Sequence, residues 1–261
     1  MRVSTSLPVD ARWPAFRDAA REAEAAGFDE LRIADHLGLN DPPYEGFTGL
    51  AAIAACTERI DLCIGVSTVT FRPPGLVAKL NDSLQRISGG RFRLGIGAGA
   101  DSGVDEHAEY GIDYPAPGKR IRMLRECAEG VRRLCEQPVS LVIGSSGDRA
   151  LEIVTRYADE WNCGAKFLDR VGERVAKLES LSGQRTTPLK RSINVPLMLE
   201  PPSGPAARFY NAELGLSGDV DAMIDRARTF RELGFDTIWL ALSKRPQFDR
   251  AIELLPRLHA L

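Results

Sequence analysis

VSLVIGSSGDRALEIVTRYADEWNCG, residues 139–164, holds a strand, a tight turn and a fresh helix in that order. An apolar run over 139–143 leads into Gly144-Ser145-Ser146-Gly147, and Asp148 opens a helix whose apolar positions fall at Leu151, Val154 and Ala158. Unpaired N–H groups of such a turn and of the first helical residues converge with the positive end of the helix dipole, so a phosphate monoester is held there without a lysine. No Gly-Lys-Ser/Thr follows, so this is not the P-loop of a nucleoside triphosphatase. The same residues also read as an ordinary turn with Asp148 as the helix N-cap.

Strand and helix alternate on both sides of this unit. Strands are expected over 2–7, 30–35, 61–68 and 91–97 before it, and over 160–163, 192–199 and 237–242 after its own strand. Helices are expected over 13–26, 48–57, 75–87, 119–136, 168–181, 219–233 and 248–258, with Gly27, Gly89-Gly90 and Gly234 as stops. A long polar loop is read over 100–118, and one rich in Pro and Gly over 200–216. Eight βα units with short connections fit a closed parallel barrel; an open doubly wound sheet gives much the same pattern. The length of 261 residues matches the roughly 250 typical of one barrel domain, and no repeat, linker or low-complexity tract divides the chain. One domain over 1–261 is expected.

Composition excludes several classes of function. A formal net charge of −2 leaves no basic footprint for nucleic acid. No apolar run is long enough to span a bilayer, and the first residues lack the pattern of an export signal, so a cytoplasmic location is expected. The cysteines at 56, 63, 127, 135 and 163 have no ligand spacing and read as small buried hydrophobes of a reduced protein. The histidines at 36, 107 and 259 form no cluster, so no metal is expected.

In a barrel, chemistry belongs at the C-terminal ends of the strands. His36 stands there after the second strand, Ser67 and Thr68 after the third, Gly97-Ala98-Gly99 after the fourth, and the Gly/Ser turn after the fifth. Glycines at 97 and 99 leave room for a flat group against the backbone. A phosphorylated planar cofactor fits both features.

AGFDELRIADHL, the run ERIDLCIGVSTVTFRPPGLVAKLNDSLQRISGGRFRLGIGAG, DEHAEYGIDYPAPGKRIRMLRE, IGSSGDRALEIVTRYADEWN and GDVDAMIDRARTFRELGFDTIWL together resemble the luciferase-like monooxygenase superfamily, in that family's order and over most of the chain. The superfamily includes bacterial luciferase and the deazaflavin-dependent oxidoreductases. The resemblance implies a TIM barrel that binds reduced flavin, or its deazaflavin counterpart coenzyme F420, at the C-terminal face. It implies that Gly144, Ser145, Ser146 and Gly147 take the cofactor phosphate, that Gly97, Ala98 and Gly99 back the ring, and that His36 faces ring and substrate. It also implies a non-prolyl cis peptide within Gly65-Val66-Ser67, pressed against the ring with Ser67 and Thr68 beside it. Asp35-His36 resembles the deazaflavin enzymes, whereas flavin monooxygenases of the family commonly carry Glu-His-His there.

Two departures bear on substrate. Deazaflavin-dependent sugar-phosphate dehydrogenases resemble this chain but place a carboxylate directly after the glycine segment and a Trp four residues after the His. Here those positions are Ala100 and Asn40, which argues against sugar-phosphate chemistry. The resulting expectation is an F420-dependent oxidoreductase that moves hydride to or from a small organic substrate. An FMN-dependent monooxygenase fed by a separate reductase, and a non-catalytic flavin-binding protein, are the alternatives. His36 is the candidate proton donor or oxyanion partner, because an imidazole titrates near working pH. Asp35 is read as orienting its surroundings, Glu106 and His107 as alternative acids or, in preference, as a solvated helix start, and Trp161 and Asn162 as pocket lining or core. The Ala-rich segment 50–57 suits a homodimer contact.

Overall fold

A computed structural model describes residues 1–8, 12–38, 44–100, 103–145, 147–183, 185–200 and 215–261, together with the backbone but not the side chains of 165 and 166. Eight parallel strands close into a barrel in chain order: β1 Arg2–Thr5, β2 Glu30–Ile33, β3 Asp61–Thr68, β4 Phe92–Gly97, β5 Leu141–Gly144, β6 Glu160–Cys163, β7 Lys190–Pro196 and β8 Thr237–Ala241. Closure is made by β8 against β1, with Ser4 opposite Trp239 and Thr5 opposite Leu240. The open-sheet alternative is thereby excluded. Among the described residues, no helix is long and apolar enough to cross a membrane.

The surrounding helices are α1 Trp13–Ala26, α2 Gly46–Ala54, α3 Pro74–Ser88, α4 Gly103–Glu109, α5 Pro117–Leu134, α6 Asp148–Tyr157, α7 Val171–Ser182, α8 Val220–Glu232 and α9 Arg245–His259. Proline in the first two positions of α1, α3, α5 and α9 meets the need for a fixed φ where no intrahelical N–H bond exists. The 2-residue advance of α2 over its expected start follows from Glu45, whose carboxylate accepts from the N–H groups of Phe47 (3.1 Å) and Thr48 (2.8 Å). The expected polar loop after β4 is corrected: it contains α4. A 3-10 segment over Ala165–Arg170 precedes α7, and β7 ends at Pro196, after which Leu197 bridges to Leu216.

The main apolar cluster fills the space between strands and helices, while the barrel interior carries a small second cluster of Cys63, Val142 and Trp239. Much of the remaining interior is polar. Arg93 on β4 reaches Glu30 on β2 at 2.5 Å and also bonds Glu160 on β6; these strands are not neighbours, so the contacts pass through the barrel.

β3 is irregular at its C-terminal end. Its register with β4 shifts between Ile64 and Ser67, and the Gly65–Val66 peptide is cis, within the segment singled out from the sequence. The bulge brings Val66 and the Ile64 carbonyl against β4, and Gly95 is what admits them: a Cβ there would collide with the Ile64 oxygen and stand 2.8 Å from Val66 Cγ1. Gly95→Ala is therefore expected to destabilise the protein by about 1–3 kcal/mol, read as a lowered urea midpoint at unchanged slope. An unchanged midpoint would show that the bulge yields freely.

Candidate active site

The C-terminal rim of the barrel gathers the residues singled out above. Asp35 and His36 follow β2. Asp35 is buried and bonded at both carboxylate oxygens by Arg72, at 2.5 and 3.0 Å. The Arg72 guanidinium also donates to Glu45 (2.5 Å) and to Ser67 Oγ (3.2 Å), and lies 4.8 Å from the Phe47 ring centroid. One cation thus ties the ends of β2 and β3 to the start of α2. Arg72 is the partner of Asp35 that sequence reading missed.

His36 differs from Asp35 in exposure, with 49% of its side chain accessible. Its Nδ1 lies 3.1 Å from Glu106 Oε2, and Glu106 Oε1 accepts from the backbone N–H groups of Leu37 and Gly38, the latter at 3.2 Å. Burial pushes the Glu106 carboxyl up, but the Leu37 N–H, His36 and the Gly38 N–H outweigh it and hold the group below the ordinary carboxylate range. The Glu45 carboxyl lies low for a similar reason: burial is overcome by the hydroxyl and N–H of Thr48, the Phe47 N–H and Arg72.

The solvated-start reading of Glu106 and His107 is corrected. His107 is 1% exposed, with Nδ1 donating to the Gly103 carbonyl at 2.7 Å and Nε2 2.6 Å from Thr70 Oγ1. Its ring stacks on Phe71 and meets Tyr114, with centroids 4.5 and 4.2 Å away. Thus α4 is pinned to the β2–α2 connection through Glu106 and to the β3–α3 connection through His107. A 7-residue helix has too few turns to show periodicity, and these anchors lie far off in sequence.

Gly97 ends β4, and Ala98 and Gly99 follow it. The Ala98 carbonyl accepts from Arg120 Nε at 3.0 Å. Side chains already fill the space beside the glycines: a Cβ at Gly97 would lie 2.8 Å from Val66 Cγ2, and one at Gly99 2.6 Å from the Tyr114 hydroxyl and 3.0 Å from Thr68 Cγ2. Gly144 faces Val66 in the same way, at 2.9 Å. A planar group laid on this wall meets Val66 before it meets the glycine backbone.

Past β5, the Ser145 carbonyl accepts from the indole N–H of Trp161 at 2.6 Å. Trp161 is fully buried and belongs to the core, and Asn162 turns into the barrel to donate to Ser192 Oγ at 2.9 Å. Ser146 lies outside the described residues, as does Asn40. The N-cap of α6 is Gly147, not Asp148: Asp148 is the first helical residue, and its carboxylate takes Arg174 Nη1 at 2.9 Å. Hydrogen bonds to the Gly147 carbonyl begin with the N–H groups of Ala150 and Leu151, so those of Asp148 and Arg149 precede the ladder. They border a hollow of about 400 Å³ lined by Ile121, Gly147, Asp148, Arg149, Ala150 and Arg174. A Cβ at Gly147 would meet nothing within 4 Å. The donor set and the open space fit a phosphate group. Among the described residues, no cluster of three or more His, Cys, Asp or Glu side chains is placed to hold a metal.

Comparison with known proteins follows the same lines. The sequence profile described as luciferase-like monooxygenase matches residues 1–212. An F420-dependent glucose-6-phosphate dehydrogenase of Beutenbergia cavernae is 29% identical over 171 residues, which cover 54% of this chain and 49% of the relative. Among solved structures, an F420-dependent secondary alcohol dehydrogenase superposes with a TM-score of 0.79 at 16% identity, covering 98% of both chains. The EDTA monooxygenase of Chelativorans sp. BNC1 gives the same TM-score at 13% identity, covering 100% of this chain and 93% of its own. At these identities the structural likeness speaks for the fold.

Proposed function

The chain belongs to the luciferase-like monooxygenase family, and from that membership we propose that it is an F420-dependent oxidoreductase moving a hydride to or from a small organic substrate at the C-terminal rim. The observation that carries this reading is the placement, on one rim, of a half-exposed imidazole backed by a carboxylate and, three strands away, of a helix start that borders an open hollow. The relative of 29% identity that is named as F420-dependent supports the choice of cofactor, as does the Asp35-His36 pair.

F420, when bound, would supply a two-electron hydride carrier that does not activate oxygen. Gly144, Ser145, Ser146 and Gly147 with the first turn of α6 would hold its phosphate, against the positive end of the helix. Val66, Ser67, Thr68 and the wall of Gly97, Ala98 and Gly99 would bound its ring. His36 would exchange a proton with the substrate oxygen as hydride leaves or arrives at the adjoining carbon. Ala100 stands where the sugar-phosphate enzymes carry a carboxylate, so the reading takes alcohols and carbonyl compounds as substrates instead of sugar phosphates.

A fluorescence titration of the purified protein with F420 and FMN, each oxidised and reduced, tests the proposal. Saturable binding of F420 in preference to FMN is the expected result. Preference for reduced FMN would replace it with an oxygen-using monooxygenase served by a separate reductase, and binding of neither would overturn the cofactor reading.

A further inference from the structure

We propose that Glu106 is a positioning residue for proton transfer: it fixes the hydrogen of the His36 imidazole on Nδ1 and so leaves Nε2 as the atom that exchanges a proton with substrate. The inference rests on the oxidoreductase reading above for its substrate, but its geometry stands without any cofactor. Glu106 presents two oxygens with different tasks. Oε1 already accepts from the N–H groups of Leu37 and Gly38, which holds the carboxylate in place and ionised. Oε2 faces His36 Nδ1 at 3.1 Å, and a carboxylate only accepts, so Nδ1 must be the donor. The neutral ring then carries its lone pair on Nε2, on a side chain that is half exposed.

Among the described residues, the other charged groups of this corner are committed elsewhere. Asp35 and Glu45 are paired with Arg72, and His107 is engaged by Gly103 and Thr70. Among the described residues, Glu106 is the carboxylate that meets His36.

For an alcohol substrate the balance is complete. The Nε2 lone pair would take the hydroxyl proton while the carbinol C–H bond gives up its electron pair as hydride to the two-electron acceptor that an oxidised deazaflavin would supply, and the C–O single bond would become a carbonyl. The alcohol would lose two electrons to that acceptor, and Glu106 would stabilise the imidazolium formed. Carbonyl reduction runs the same transfers backwards, with Nε2–H giving the proton.

Glu106→Gln separates positioning from scaffolding. The amide oxygen still accepts from Leu37 and Gly38, so the connection stays pinned, but the amide nitrogen now donates to Nδ1 and forces the hydrogen onto Nε2. Long-range ¹H–¹⁵N spectra of the full chain without cofactor, with the His36 resonance identified by its loss in His36→Ala, read the tautomer directly. The expected result is Nδ1–H in the wild type, Nε2–H in Glu106→Gln and no fixed preference in Glu106→Ala. In turnover with whichever cofactor binds, Glu106→Gln should lower kcat about tenfold or more with little change in KM, and His36→Ala should abolish any further effect of the Gln change. A wild-type Nε2–H tautomer, an unchanged tautomer in Glu106→Gln, or full turnover by that variant would overturn the proposal. Failure of F420 to bind would remove the cofactor reading and leave the tautomer result to decide this one.

Discussion

Arg93→Met is expected to cost about 3–5 kcal/mol of stability. Arg93 lies inside the barrel between Glu30 and Glu160, whose side chains are 0% and 1% exposed. Removing the cation leaves two buried carboxylates without their counter-charge, and the desolvation of an unpaired buried charge is strongly destabilising. The sign of the pH dependence follows. Burial raises the Glu160 carboxyl above its ordinary range, and Arg93 opposes that rise. A carboxyl raised in the folded state favours folding while it is protonated and withdraws that favour as pH climbs through its folded value. Without Arg93 the rise is unopposed, so the deficit of the variant should be large at about pH 8 and shrink toward about pH 5. Denaturant midpoints of wild type and variant at both pH values check this. A deficit under about 1 kcal/mol at the higher pH would mean that the barrel interior admits solvent to these groups.

Strands such as β3 and β5 were legible because a parallel strand covered by helices is buried on both faces and reads as a short apolar run between turn signals. The bounds of β3, β6 and α1 agree with the sequence reading to the residue. Much of the rim was legible for the same topological reason: a residue that follows a strand in a barrel faces the C-terminal opening. What was not legible depends on contacts between distant residues. Arg72 is 37 positions from Asp35 and 27 from Glu45, and Glu106 is 70 from His36, so no local pattern joins them. The glycines at 97 and 144 signalled close approach by something, and only the cis turn at Gly65–Val66 reveals that the nearest group is the Val66 side chain. The cap of α6 was misplaced by one residue because Asp is the better N-cap by type, whereas Arg174 draws Asp148 into an ion pair.

That misplacement supplies the sharpest test of the anion site. Gly147→Asp is expected to weaken cofactor binding at least about a hundredfold, or roughly 3 kcal/mol, without unfolding the protein. Gly147 has φ −75° and ψ 146°, ordinary extended backbone for any L-residue, and nothing lies within 4 Å of a Cβ placed there. Aspartate is also a strong N-cap: its carboxylate would accept from the N–H groups of the first turn of α6 and hold or raise the melting temperature. Those are the donors a phosphate needs, and the new charge would repel it across the same hollow. Stability and affinity should therefore move apart, which a general folding defect cannot produce. Gly147→Asn occupies the donors without the negative charge and should lose less affinity than Asp, so the difference between the two variants measures the electrostatic share. Fluorescence titration beside thermal melting gives both readouts on one sample. Equal affinity of wild type and Gly147→Asp would place the phosphate elsewhere on the rim and return the turn at 144–147 to a purely structural role.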